Sequence, residues 1–182
     1  MCQKLLRGYE VQSIKYFTAH VKATKHNPSQ HLRQQIYFRA LRTNRKIEIH
    51  LGQFVSLPKF YPAHPWQYLE NGRPLMHRIN MTQEKGSDVN LASHLIFDAL
   101  NNAADAYVVV SNDSDQVGPL AMLSQRTDAV LGLILPEDNQ AKELLALQLP
   151  IVRKIRMGVL EISQFPEIMN DAVGEFSKPK EW

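Results

Sequence analysis

The clearest helical pattern in the chain lies in its second half, where Val89, Ala92, Leu95, Ile96, Ala99, Leu100 and Ala103 share one face of a helix over residues 87–104. Asn90, Ser93, His94, Asp98 and Asn101 make the polar face of that helix. AYVVV (106–110) and AVLGLIL (129–135) are unbroken apolar runs of strand length, as expected for strands covered on both faces in a parallel sheet. Between them the pattern predicts a helix over 116–126 that begins just after Asp115, and beyond them one over 140–147. In the first half, VQSIKYFTA (11–19) reads as a strand, and residues 29–43 read as a helix with Leu32, Ile36, Phe38, Ala40 and Leu41 set between Arg33, Arg39 and Arg42. KIEIHLGQFV alternates apolar and polar residues as a half-buried strand does, with an irregularity at Gly52. Pro58, Pro62, Pro65, Pro74 and Asn71-Gly72 mark residues 56–80 as a Pro-rich excursion with a hairpin about Asn71-Gly72. From Val152 onward the pattern is weaker. Strands alternating with helices predict an α/β chain of the doubly wound class.

A length of 182 residues, 44% of them hydrophobic, suits one domain with a sizeable core. No apolar run is long enough to suggest a membrane span, and MCQKLLRGYEVQ has no secretory apolar region, so a soluble cytoplasmic chain is expected. Cys2 is the one cysteine, which leaves no basis for a disulfide framework or a Cys-rich zinc site. The net charge of +3 conceals a division. Residues 1–85 hold 14 Lys and Arg against 4 Asp and Glu, whereas residues 86–182 hold 7 against 14. Either both sets are solvated faces, or a basic surface for a polyanion accompanies an acidic pocket for cations.

Ligands of doubly wound sheets gather beyond the carboxyl ends of the strands. AYVVV runs directly into Ser111-Asn112-Asp113-Ser114-Asp115, which places two carboxylates at that edge just before a helix. Capping explains one Asp and leaves its neighbour unexplained. Asp88 stands in the first turn of the amphipathic helix, where the macrodipole favours an acid and Ser87 is a suitable N-cap. Three carboxylates meeting at one edge repel one another unless a cation neutralises them. An oxygen-only ligand set suits Mg²⁺ or Mn²⁺, ions that assist phosphodiester hydrolysis.

EKGSDVNLASHLIFDAL followed by DAYVVVSNDSD resembles the NYN domains of the PIN-like nuclease superfamily, whose pattern is E-K-G-x-D-V-x-L-A, a helix, and a strand ending S-G-D-S-D. VQSIKYFTAHVKA is similar to the second strand of those domains, and VRKIRMGVLEISQFPE to their C-terminal segment. The resemblance implies a PIN-like Rossmannoid three-layer fold with a mostly parallel central sheet, spanning 1–182 as a single domain. It implies metal-dependent cleavage of RNA, with Asp88, Asp113 and Asp115 as catalytic and metal-binding acids and Lys85, Ser111, Asn112 and Ser114 in support. Asn112 replaces the usual Gly, and Asn is the residue that best tolerates a positive φ in its place. The family's first strand, with its Asp-Gly-x-Asn motif and first catalytic Asp, has no counterpart here, so the domain is expected to be N-terminally incomplete. A gap or rearranged pairing is then expected beside AYVVV, or another segment or chain in that slot.

His20, His26, His31, His50, His64 and His77 show no paired metal-ligand spacing, and His94 stands nearly two turns from Asp88. Tyr61, Trp66 and Tyr68 either pack the excursion onto the core or stack on unpaired bases. Arg39, Arg42, Arg45, Lys59, Arg73 and Arg78 are the candidate contacts to RNA, or to DNA as the other substrate. Against the ribonuclease stand two alternatives. One is an RNA-binding or regulatory module with impaired catalysis; the other is a phosphatase-like or nucleotide-binding enzyme, for which no Gly-rich phosphate loop is visible. No membrane partner is expected, and a homo-oligomer is an allowed state.

Overall fold

The computed structural model describes residues 1–137 and 141–181. In chain order its elements are α1 (Cys2–Leu5), β1 (Ile14–Ala19), α2 (Gln30–Arg42), β2 (Ile47–Pro62), β3 (Met76–Lys85), α3 (Ser87–Leu100) and β4 (Ala106–Val110). A 3-10 turn (Ser114–Gln116) leads into α4 (Val117–Ser124), followed by β5 (Val130–Leu135), α5 (Lys142–Leu145), β6 (Ile151–Lys154), α6 (Met157–Glu161), β7 (Ile168–Asp171) and β8 (Gly174–Ser177). The chain is α/β, as its pattern predicts. The expected helix over 140–147 is the short α5, and its start at Gln140 lies outside the described residues.

The strands form two three-stranded sheets and a small hairpin. β4, β5 and β6 are all parallel in the order β4-β5-β6; β1 is parallel to β2, which is antiparallel to β3; β7 pairs with β8. Among the described residues β1 and β4 each pair along one edge only. In place of one central sheet, α3 joins the two. Leu91, Leu95, Ile96 and Ala99 pack into the core between α3, α4, α5 and the parallel sheet, with Tyr107, Val109, Leu120, Leu123, Leu131, Leu133 and Leu144 at its centre. On the other side of α3, the Asp98 carboxylate holds Lys15 of β1 at 2.5 Å.

That placement corrects the expected faces of the helix. Val89 and Leu100, counted among its apolar positions, are 69% and 56% exposed, and Ala103 lies past its end. His94 and Asp98, counted as polar, are half-buried against β1 and β2. The Tyr107 hydroxyl donates to the Asp98 carbonyl (2.9 Å) and accepts from the Ala104 amide (2.7 Å), tying the C-terminal end of α3 to β4.

The Pro-rich excursion contains the hairpin expected about Asn71-Gly72, and its arms are longer than the prolines suggest: β2 continues through Pro58 to Pro62 and pairs with β3 over ten residues, from Gln53↔Lys85 to Pro62↔Met76. Gly72, with φ +75°, turns the tip, where the Leu69 carbonyl accepts from the Gly72 amide at 2.9 Å. Facing pairs put Leu57, Tyr61, Ile79 and Met81 on one side of this ribbon and Phe60 and Arg78 on the other. Trp66 and Tyr68 stack on each other with ring centres 6.3 Å apart and are 60% and 64% exposed, so they are not packed onto the core.

At the C-terminus, Arg39 of α2 forms a two-pronged ion pair with Asp171 (both contacts 2.7 Å), and its guanidinium lies 4.3 Å from the Phe176 ring centre. This fixes the β7–β8 hairpin to α2. Arg39 holds the Asp171 carboxyl down to about 2, so the pair keeps its charge well into acid.

Candidate metal centre

β3 passes into α3 across a single residue, Gly86, which takes φ +98°. The N-cap is therefore Gly86 rather than Ser87, and the Ser87 hydroxyl donates instead to the Glu84 carboxylate. Gly52 of β2 faces this junction at backbone contact distance. A Cβ there would lie 2.6 Å from the Lys85 carbonyl oxygen, 3.0 Å from Ser87 Oγ and 3.2 Å from the Ser87 nitrogen. The irregularity at Gly52 is thus a close approach that sets the position of the helix start, with Asp88 in its first turn.

The other two acids hang from β4. The Ser111 amide donates to the Ile134 carbonyl (3.1 Å), which prolongs the pairing with β5 by one residue. Ser111 Oγ then accepts the Asp113 amide, and Asp113 Oδ1 accepts the Asp115 amide, each at 2.9 Å. Asp113 thereby caps the 3-10 turn, as one Asp was expected to, while Asp115 does not cap. Asn112 is not among the residues of positive φ, so the Gly-to-Asn change is accommodated without a left-handed backbone. Its side-chain nitrogen donates to the Glu137 carbonyl at 3.5 Å. Ser114 opens the turn, and Lys85 contributes its backbone carbonyl to the contact with Gly52.

Asp88, Asp113 and Asp115, all solvent-exposed, each offer a carboxylate oxygen within 4.8 Å of the others'. Ligands of one Mg²⁺ at about 2.0–2.1 Å can be at most roughly 4.2 Å apart, so small rotamer adjustments let all three share an ion. Partial burial of its carboxyl, followed by the negative charges of Asp113, Asp115 and Glu84, raises Asp88 above its ordinary value. The donor set is all hard oxygen and fits Mg²⁺ or Mn²⁺.

The remaining candidates are dispersed. α2 begins beyond the carboxyl end of β1 and ends just before the start of β2, so Arg42 and Arg45 lie at the sheet edge opposite to the acids. Arg39 is committed to Asp171. Lys59, Arg73 and Arg78 belong to the ribbon and its tip, and Lys59 donates to Gln83 at 3.4 Å. The histidines contain one grouping that their spacing does not reveal. His50 of β2 and His94 of α3 lie with ring centres 4.2 Å apart beside Phe17, and His94 is lowered by burial, then by His50 and Lys15. The β-strand register brings His50 to Phe17, a long-range pairing without a local sequence signal. Gln116, directly after Asp115, is 1% exposed, and its Oε1 accepts no hydrogen bond among the described residues.

The chain is similar to 6-hydroxy-3-succinoylpyridine 3-monooxygenase HspA of Pseudomonas putida (strain DSM 28022 / S16), at 27% identity over 192 aligned positions. The similarity takes in 97% of this chain but 59% of the relative, so the chain spans about three fifths of the length of the curated protein it matches. No family profile matches the chain, and no solved structure matches it. No helix among the described residues is long and apolar enough to cross a membrane.

The contact at Gly52 gives a test of the site that leaves every carboxylate in place. Gly52→Ala is expected to push the start of α3 away from β2 and weaken Mn²⁺ binding about tenfold, since the new Cβ meets backbone that cannot swing aside. Calorimetric titration with Mn²⁺ measures this. Unchanged affinity would mean that the helix start is not held by β2.

Proposed function

We propose that this chain is a metal-dependent ribonuclease that hydrolyses RNA phosphodiester bonds, on a PIN-like fold of the NYN kind. The observation that carries the reading is the convergence of Asp88 with Asp113 and Asp115, from two different elements, onto one cluster of oxygen donors. Separate helix caps would have no reason to meet. Asp88, Asp113 and Asp115 would hold Mg²⁺ or Mn²⁺, which when bound supplies an activated water and neutralises charge on the phosphate. Asp113 is oriented by the Asp115 amide and through Ser111, so its carboxylate is fixed before the substrate arrives. Asp88, with its raised proton affinity, holds a proton more readily than an ordinary carboxyl in the metal-free protein. The exposed Trp66 and Tyr68 at the ribbon tip, near Arg73 in sequence, offer faces on which unpaired bases can stack.

The test is cleavage of a labelled single-stranded RNA with Mn²⁺ or Mg²⁺ and with EDTA. Internal cuts with either ion and none with EDTA are expected. Tight RNA binding without cleavage in either ion would instead make the chain a binding or regulatory module. The similarity to the monooxygenase motivates a further reading, oxygenation of 6-hydroxy-3-succinoylpyridine, which oxygen uptake with that compound and a supplied electron donor would reveal.

A further inference from the structure

Between residues 11 and 47 there are eight Lys and Arg and no carboxylate. Several of these cations have structural partners: Lys15 binds Asp98, Arg39 binds Asp171, Lys46 binds Glu10, and Arg33 binds Ser29 and Asn27. Lys22 has no ion-pair partner among the described residues. It lies on the rim of an open cleft of about 420 Å³ beyond the carboxyl end of β1, lined also by His20, His31, Gln34 and Gln35.

This cleft is built, not a chance surface hollow. Gln34 acts as a strand's backbone would, accepting from the Val21 amide (2.9 Å) and donating to the Ala19 carbonyl (2.8 Å). The Gln30 side-chain Nε2 donates to the Lys22 carbonyl, so the loop after β1 is clamped to α2 at two points. His31 Nδ1 is buried there without a hydrogen-bond partner. Buried polar atoms are seldom left unpaired, and a group that can be protonated is served by an anionic ligand.

Its position connects it to the acids. Ala19, which ends β1, is in register with Gly52 of β2, about 4.8 Å away by the usual spacing of paired strands. A Cβ on Gly52 would lie 3.0 Å from Ser87 Oγ, and Ser87 is the neighbour of Asp88. The cleft and the carboxylates therefore open at the same edge, whereas Arg42 and Arg45 lie at the other. We propose that this cleft binds a phosphate of the nucleic-acid strand, next to the bond presented to the carboxylates. Lys22 is the cationic contact, and the two imidazoles and Gln35 are hydrogen-bonding ones. The inference rests on the nuclease reading and adds where the strand runs.

The test compares Lys22→Gln and His31→Gln with Arg42→Gln in the full chain. With RNA and Mn²⁺, Lys22→Gln should raise KM about fivefold with kcat retained, and reduce the salt dependence of RNA affinity by roughly one phosphate contact. His31→Gln should act in the same direction, while Arg42→Gln stays within about twofold of the parent. The histidine ring signals of His20 and His31 should shift on addition of RNA. Unchanged KM and salt dependence in Lys22→Gln, whose exposed side chain can be replaced without disturbing the fold, would overturn the proposal. So would ring signals that move with inorganic phosphate but not with RNA, which would make the cleft a free-anion site. Failure of the nuclease reading is distinguishable, because it appears in the parent protein as an absence of cleavage before any variant is compared.

Discussion

Asp113→Asn is expected to reduce Mn²⁺-dependent RNA cleavage by about a hundredfold to a thousandfold, the scale on which loss of one preorganised charge contact is felt. The fold should survive the change. Asp113 has two roles, carrying a charge in the acidic cluster and capping the 3-10 turn by accepting the Asp115 amide. Asn keeps an oxygen for the second role and gives up only the first, and the two residues cap about equally well. Asp113→Ala removes both, and should in addition cost about 1 kcal/mol, or roughly 2–4 °C in melting temperature for a chain of this size. Cleavage rate measured beside thermal unfolding separates these effects. If Asn lowers both together, Asp113 is a structural residue and the metal reading fails.

Metal alone should stabilise the protein. At a free ion concentration about a hundred times the dissociation constant, binding to the folded state contributes about 2.7 kcal/mol, worth about 5–10 °C. The clustered acids give this a definite pH dependence. Asp88 titrates higher in the folded chain than its ordinary value of 3.8, so its ionisation opposes folding. Below that ordinary value the opposition is absent; it grows as pH rises through the raised value and is complete above it. The metal increment should accordingly be largest near neutral pH and fade in acid, where protons compete with the ion. Asp88→Asn should raise the metal-free melting temperature slightly and remove most of the increment. Thermal unfolding with Mn²⁺ and with EDTA at two pH values decides the matter: equal curves for the parent protein under all four conditions would mean that the carboxylates hold no ion.

The acids, the helix that carries Asp88 and the two apolar strands could all be read from the chain because each depends on short-range pattern. α3, β4 and β5 are contiguous segments whose side chains repeat at the period of their own backbone. The order of Asp113 and Asp115 after β4 fixes them at the carboxyl edge of its sheet. What escaped depends on pairing between distant residues. Pro58 and Pro62 argue against a strand, yet an isolated ribbon has outer edges at which a missing amide leaves no ladder bond broken. Arg39, Arg42 and Arg45 read as a basic face, but the direction in which α2 returns to β2 carries Arg42 and Arg45 to the wrong edge, and Asp171 claims Arg39. The polar side of α3 looked like a solvent face because nothing local shows that β1 offers Lys15 to Asp98. His50 and His94 meet for the same reason.

β4 presents two of the three acids, yet among the described residues it is paired along one side only, while its neighbour β5 is flanked on both. Val110, the last residue before the acidic turn, is already exposed. The strand that positions two of the acids therefore has fewer backbone partners than the strand at the centre of the core, and on warming its carboxyl end is expected to loosen before β5 and the leucines behind it do.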